Sequence, residues 1–372
     1  MSDHDQLLRQ LIDRMTASGS LRTQPWKDAA AAVDRHEFLR NGFFRVVPGS
    51  SPTAWTPVLQ DGDGWLEACY ADESLVTQIA GTIKPTDIRG EIMREPTSSS
   101  TLPSLVLRML EDLGAEPGME VLEIGTGTGY STAVLCARVG AGRVTSIEYD
   151  EEVALQARET LSRLGTYPNL LIGDGLLGGD QGALYDRVIA TCAVRTVPAA
   201  WLERTRPGGQ ILTTIGGWLS ASELVRLTVH EDGTASGPVL GGQVSFMLAR
   251  PHLAPPLGLL PDLNRGKERE AIIGADVLDD WTTRFVAQFA VPNAQRLKLR
   301  HGQHDEDLLF DVESESFAAL HQDHGRWIVR QDGPHLLWDT VEEHLGRWHS
   351  AGTPTVEEAT VRVTSEGQSI HW

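Results

Sequence analysis

Cysteine is nearly absent from this 372-residue sequence: Cys69, Cys136 and Cys192 are scattered and odd in number. They exclude a disulfide framework, show no zinc spacing, and sit among apolar or helix-forming neighbours as reduced cysteines of a cytosolic protein do. Long apolar runs are also missing. No stretch approaches the roughly 20 residues needed to cross a bilayer, and the opening residues Met1 to Gln6 are polar and acidic, so a cytoplasmic protein away from membranes is expected. Basic charge is scarce, with 32 Lys and Arg against 51 Asp and Glu and a formal net charge of -19. A broad nucleic-acid footprint needs a basic face and is excluded, and an acidic ligand must be recognised by local groups rather than by the overall field. No internal repeat is present. His301 with His304 and His321 with His324 are spaced i,i+3, but no flanking pattern completes a ligand set and no metal is expected.

What remains is a globular composition, 41% hydrophobic and 22% charged, with ample material for a core. Leu7, Leu8, Leu11, Ile12 and Met15 form a helical stripe stopped near Gly19. A second helix around Trp26 to Val33 leads into Asp34-Arg35-His36-Glu37-Phe38, and the Pro- and Gly-rich stretch from Pro48 to Gly64 reads as an irregular excursion. Leu105, Val106, Met109, Leu110 and Leu113 mark a further helix. From Glu120 the pattern alternates strand and helix. Short apolar strands are predicted at 120–124, 144–149, 169–172, 186–190 and 210–215, as in a sheet covered on both faces. Segments 223–229 and 243–248, with no helix between them, predict a closing antiparallel hairpin. Pro251, Pro255, Pro256 and Pro261 then announce a change of texture. The expectation is a doubly wound α/β domain over residues 1–250, with N-terminal helices in 1–95 and a core in 96–250, and an added C-terminal domain over 251–372.

Two stretches carry candidate chemistry. In Val121-Leu122-Glu123-Ile124-Gly125-Thr126-Gly127-Thr128-Gly129-Tyr130 a buried strand meets three glycines that let a ligand approach the backbone, ahead of a helix start offering amides. A dinucleotide turn would need its third glycine at Tyr130. The acid-glycine spacing suits S-adenosylmethionine instead, with Glu123 facing the ammonium end of the cofactor. Glu148 at the end of the second strand can accept from both ribose hydroxyls, and Asp174 in Gly173-Asp174-Gly175 from the adenine amino group. The plainer alternative is that Glu148 caps a strand and Asp174 makes a turn. The second stretch is Ser98-Ser99-Ser100-Thr101 before Pro103, hydroxyls that either hold a substrate or cap the following helix.

Residues from about Leu7 to Leu248 resemble the protein L-isoaspartyl (D-aspartyl) O-methyltransferase family. The likeness rests on the glycine turn, Gly173-Asp174-Gly175, Tyr185-Asp186-Arg187-Val188-Ile189 and Arg206-Pro207-Gly208-Gly209. The resemblance implies a Rossmann-like class I fold, S-adenosyl-L-methionine as cofactor, and a peptide or protein substrate carrying Asp or isoAsp. Cofactor contacts are then expected at Glu123, Gly125, Thr126, Gly127, Gly129, Glu148, Asp174 and Gly175. The family's Thr-Ile-Ser before Pro aligns on Ser99-Ser100-Thr101, placing the substrate hydroxyl at Thr101, with Ser98 to Ser100 lining the same loop. Threonine there is a departure. So are the long, basic approach through Lys84, Arg89 and Arg94, Arg195 after the fourth strand, and the tail beyond 250. The tail resembles longer family members that accompany peptide-modification systems, which implies an aspartate in a macrocyclic, ribosomally made peptide as acceptor, its ester leading to succinimide and isoaspartate. The alternative is repair of isoaspartyl residues in damaged proteins.

Overall fold

The computed structural model describes residues 2–60, 62–301 and 304–372. The chain divides into two compact units, Met1–Thr191 with Ala200–Leu212, and Cys192–Ala199 with Thr213–Trp372.

The first unit opens with α1 (Asp3–Ala17), which buries Leu8, Leu11 and Met15 and carries Asp3 and Asp5 in its first turn, where the helix end favours negative charge. Gly19, at φ 78°, turns the chain after it. Next come α2 (Gln24–Ala31), β1 (Phe43–Val46), β2 (Trp55–Val58), α3 (Trp65–Cys69), β3 (Leu75–Ile79) and β4 (Pro96–Ser100). The four strands form an antiparallel sheet in the order β2-β1-β3-β4. Two expectations change here. The excursion from Pro48 contains β2, and the hydroxyl run is an edge strand rather than a loop. Ser98 and Ser100 are buried while Thr97 and Ser99 are half-buried, the period of two that a strand imposes; small hydroxyl side chains conceal that period from a reading based on bulky apolar residues.

The unit continues through α4 (Pro103–Leu113), β5 (Val121–Ile124), α5 (Tyr130–Val139), β6 (Val144–Glu148), α6 (Glu151–Arg163), β7 (Asn169–Ile172), β8 (Tyr185–Val194), α7 (Ala199–Arg204) and β9 (Thr205–Gly216). Its second sheet runs in the order β9-β8-β5-β6-β7, with β5 parallel to both β6 and β8 and β6 parallel to β7. All four residues of β5 are buried, as a central strand covered on both faces requires. The chain leaves β5 on one side for β6 and returns on its other side as β8. Ligands of such sheets sit at this reversal, outside the carboxyl ends of the strands.

The second unit takes the last residues of β8 and β9. It adds β10 (Ser222–Val229), β11 (Ala235–Pro238), β12 (Lys267–Glu270), α8 (Trp281–Gln288), β13 (Gln295–His301), β14 (His304–Asp311), β15 (Ser316–Asp323), β16 (Arg326–Asp332), α9 (Leu337–Ser350), β17 (Thr360–Thr364) and β18 (Gly367–His371). Its strands are ordered β18-β17-β11-β10-β9 and β12-β16-β15-β14-β13. The predicted hairpin partner at 243–248 is not a strand; β10 pairs with β11 instead. Gly241, Gly242 and Gln243, at φ 67°, 105° and 50°, turn the chain out of the sheet, and Leu248 keeps only an isolated bridge to Ala193. The boundary expected near residue 250 is not where the units part either, because β17 returns to pair with β11. The prolines there mark an irregular crossing within the second unit.

Leu278, Val286, Leu320, Val329, Trp338 and Val341 belong to one buried cluster of this unit, and the partly buried Trp372 packs against it. The side chains of His301 and His304 lie outside the described residues, and His324 is exposed. Among the described residues no group of three or more His, Cys, Asp or Glu is placed to hold a metal, and no helix is long and apolar enough to cross a membrane. Trp338 is fully buried, and its indole N–H donates to the Ile273 carbonyl at 3.0 Å. Trp338→Ala is therefore expected to lower the unfolding free energy in urea by about 3–5 kcal/mol. A loss below about 1 kcal/mol would show that this cluster does not hold the unit together.

Candidate active site

The glycine turn after β5 needs glycine for two separate reasons. Gly125, Gly127 and Gly129 have φ of 93°, 54° and 90°, which L side chains rarely adopt. A Cβ at Gly125 would also stand 2.7 Å from Thr191 Oγ1, and one at Gly129 3.3 Å from Leu161. The amides of Gly125 and Thr126 both donate to the Ile147 carbonyl, at 2.8 and 3.3 Å, which holds the turn against the end of β6. Tyr130, at the place of a dinucleotide fingerprint's third glycine, is buried with its ring edge-on to Phe38, 6.0 Å between centroids.

Glu148 ends β6 immediately beside this turn. Its Oε2 accepts from the Gly127 amide at 2.9 Å and its Oε1 from the Asp150 amide at 3.0 Å; each carboxylate oxygen can accept more than one hydrogen bond. Asp174 follows β7, half-buried, and its Oδ1 accepts from the Leu176 amide at 2.9 Å, starting a one-turn helix at Gly175–Leu177. Asp174 thus does make a turn. Gly175 is required by closeness, since a Cβ there would lie 2.5 Å from Ile124 Cγ2. Its carbonyl accepts from the Trp201 indole at 2.9 Å.

Glu123 and Thr126 do not sit as expected. Glu123 is fully buried, and its carboxylate accepts from the hydroxyls of Ser131 at 2.6 Å and Ser146 at 2.7 Å and from Thr132. Both oxygens are engaged inside the fold, binding the start of α5 to β5 and β6 rather than facing an ammonium group. The Thr126 hydroxyl is likewise buried, 2.7 Å from Ser146 Oγ. Burial pushes the Glu123 carboxyl above the usual range, and the three hydroxyls pull it partly back.

The hydroxyl strand lies next to the glycine turn: a Cβ at Gly127 would be 3.5 Å from the Ser99 carbonyl oxygen. Ser98 Oγ accepts from Thr77 at 3.2 Å, Ser100 Oγ is buried without a hydrogen-bond partner, and Ser99 and Thr101 are half-buried. None of these hydroxyls caps α4. Its N-cap position is Leu102, and the amides of Leu102 and Ser104 donate to Ser74 Oγ at 3.1 Å and Asp72 Oδ1 at 2.9 Å. The end of β4 is held by a residue that sequence reading passed over. Arg35 is fully buried, and its guanidinium donates to the carbonyls of Cys69, Ala71, Glu73, Ser100 and Thr101 at 3.0, 3.1, 3.0, 3.2 and 3.3 Å. The only sequence signal was its place in the Asp34 to Phe38 run.

The expected basic approach is partly spent. Lys84 pairs with Glu152, while Arg89 and Arg94 are exposed. In the second unit, the Arg195 guanidinium lies 3.5 Å from the Trp218 ring centroid and donates to the Pro292 carbonyl at 2.8 Å and to Asn293 Oδ1 at 2.5 Å.

A glycine turn after the first parallel strand, with acids on the next two strand ends, defines a Rossmann-like class I methyltransferase fold. A family model described as Protein-L-isoaspartate(D-aspartate) O-methyltransferase (PCMT) matches residues 76–246. The protein-L-isoaspartate O-methyltransferase of Methanopyrus kandleri is 30% identical over 240 residues, which are 63% of this chain and 88% of that one. The chain belongs to the protein-L-isoaspartate O-methyltransferase family. The Thermotoga maritima protein of that name is 33% identical over 186 residues, and the match spans 57% of its length and 50% of this chain. A solved structure named protein-L-isoaspartate O-methyltransferase has a TM-score of 0.59 at 21% identity, covering 98% of this chain and 99% of its own. That likeness extends the shared fold through the tail.

The raised pKa of Glu123 has a defined sign. The folded chain holds that proton to higher pH than the unfolded chain, so the stability this group contributes is greatest below the unfolded carboxylate pKa and is lost as pH rises through the folded value. Glu123→Gln cannot titrate. In urea unfolding across that window the variant's stability should fall less steeply with rising pH than the wild type's; identical slopes would contradict the assignment.

Proposed function

We propose that this chain is an S-adenosylmethionine-dependent carboxyl O-methyltransferase acting on L-isoaspartyl residues of polypeptides. The observation that carries the reading is the juxtaposition, in one unit, of the hydroxyl strand β4 with the glycine turn, the Ser99 carbonyl lying 3.5 Å from where a Gly127 Cβ would be. The residues fit the cofactor. Gly127 leaves backbone accessible beside Glu148, Gly173 has nothing within 4 Å of where its Cβ would be, and the carboxylates of Glu148 and Asp174 can accept from ribose hydroxyls and an adenine amino group. When bound, the cofactor supplies an electrophilic methyl group on a sulfonium sulfur.

The chain's own residues then have to orient the acceptor. A substrate carboxylate is ionised at neutral pH and needs no general base. Thr101 and Ser99 can hold it by hydroxyl donation without neutralising it, and fixing its approach converts a bimolecular encounter into an intramolecular one. The methyl ester carries a methoxy group that can leave as methanol, whereas a carboxylate would have to expel an oxide. Attack by the following backbone nitrogen expels methanol and closes a succinimide, which water opens to aspartate or isoaspartate.

The family model and the relatives' names support isoaspartate as the acceptor. The macrocyclic-peptide reading rested on the tail, on Thr101 and on the basic approach through Lys84, Arg89 and Arg94; the tail's fold is shared and Lys84 is paired, while Arg89 and Arg94 stay exposed.

The test offers an isoaspartyl peptide and its aspartyl isomer with the cofactor and follows one added methyl by mass spectrometry. Transfer confined to the isoaspartyl peptide is expected; equal transfer to both, or none to either, would overturn the reading. Thr101→Ala should slow transfer roughly ten- to a hundredfold with cofactor affinity retained. Glu148→Ala should weaken cofactor binding by about an order of magnitude in calorimetry.

A further inference from the structure

A hydrogen-bonded chain of side chains joins β4 to the strand-end acid Glu148. Thr97, on β4, accepts from the Gly81 amide at 3.0 Å and donates to Gln78 Oε1 at 2.7 Å. Gln78 sits at the irregularity where the β3–β4 register shifts, and it is 3% exposed. Its Nε2 donates to Asp150 Oδ2 at 3.3 Å. Asp150 in turn caps α6 with its other oxygen, taking the Glu152 and Val153 amides at 3.1 and 3.2 Å. The Asp150 backbone amide donates to Glu148 Oε1 at 3.0 Å, and Glu148 Oε2 accepts from Gly127 at 2.9 Å. The segment between β3 and β4 is tied to the same helix start a second time through Lys84 and Glu152. Gln78, Lys84, Glu152 and Gly127 line one groove.

Each link constrains the next. A buried glutamine amide presents a donor and an acceptor in fixed opposition, so it bridges an alcohol donor on one side and a carboxylate on the other in one orientation only. Because Asp150 directs its amide at Glu148 while Gln78 meets one of its carboxylate oxygens and the α6 amides the other, displacing Gln78 removes the contact that ties this peptide, and with it Glu148, to the hydroxyl strand. We infer that Gln78 is a positioning residue that couples the hydroxyl strand to the ribose-binding acid, so that the acceptor and cofactor sites are set together. This rests on the proposed cofactor role of Glu148 and assigns it a control point.

The test is a double-mutant cycle on the full chain, read by calorimetric binding of S-adenosylhomocysteine. Gln78→Leu, which keeps the volume and removes both bonds, should bind about tenfold more weakly than wild type. In a Glu148→Ala background the same change should have less than about a twofold further effect, because the acid through which Gln78 acts is gone. Additive losses, or wild-type affinity in Gln78→Leu, would overturn the inference while leaving the cofactor site standing. No binding by wild type, or an unaltered affinity in Glu148→Ala, would instead sink the functional reading itself. If Gln78→Leu does not fold, Asp150→Asn takes its place. It keeps the α6 cap and removes the acceptor facing Gln78, and the same non-additivity with Glu148→Ala is required of it.

Discussion

A buried guanidinium holds the hydroxyl strand in place. Taking an arginine out of water costs several kcal/mol, which is recovered only as far as its donors are met, and the two terminal nitrogens of Arg35 donate to five backbone carbonyls from Cys69 to Thr101 while its buried Nε has no hydrogen-bond partner. Burial pulls its pKa down, and Tyr130, Cys69, Asp72 and Glu73 pull it back; an arginine stays charged through such a shift. Its planar fork fixes directions as well as distances, so the carbonyls of Ser100 and Thr101 are held against the segment after α3. Phe38, one turn further along, packs on Tyr130 at the start of α5. One short segment thus braces both the hydroxyl strand and the helix that follows the glycine turn.

The cofactor edge is built on a different principle. Parallel register brings Ile124 beside Ile147 and Glu148 beside Ile172, so groups far apart in sequence emerge along one line. Glu123 lies inside that edge. Its buried carboxyl and three hydroxyls tie the start of α5 to β5 and β6, and Glu148 and Asp174 are the acids proposed to meet the cofactor.

Residues whose conformation is locally determined were legible in the sequence. The glycines of the turn had to be glycine, and the apolar runs of β5 and β6 could be read as covered strands. What escaped depended on register and on distant partners. The hydroxyl strand lacks the bulky side chains that announce a strand, and Arg35 reads like any surface charge until the carbonyls from Cys69 to Thr101 surround it. The direction of Glu123 was settled by Ser131 and Thr132 on the next helix and Ser146 on the next strand, none of which its own motif reveals. In the second unit, β14 and β16 mix charged and apolar residues, and the polar texture concealed a sheet.

The central claim is that Arg35 serves catalysis by holding the acceptor strand, without touching the cofactor. The most direct measurement is the single-turnover rate of methyl transfer to an isoaspartyl peptide by Arg35→Lys, with cofactor affinity measured on the same folded sample. A lysine ammonium has three donors in place of five and no planar fork. The account predicts a rate lowered by about tenfold or more with cofactor affinity within about twofold of wild type. An unchanged rate per folded molecule, or a loss confined to cofactor affinity, would contradict it.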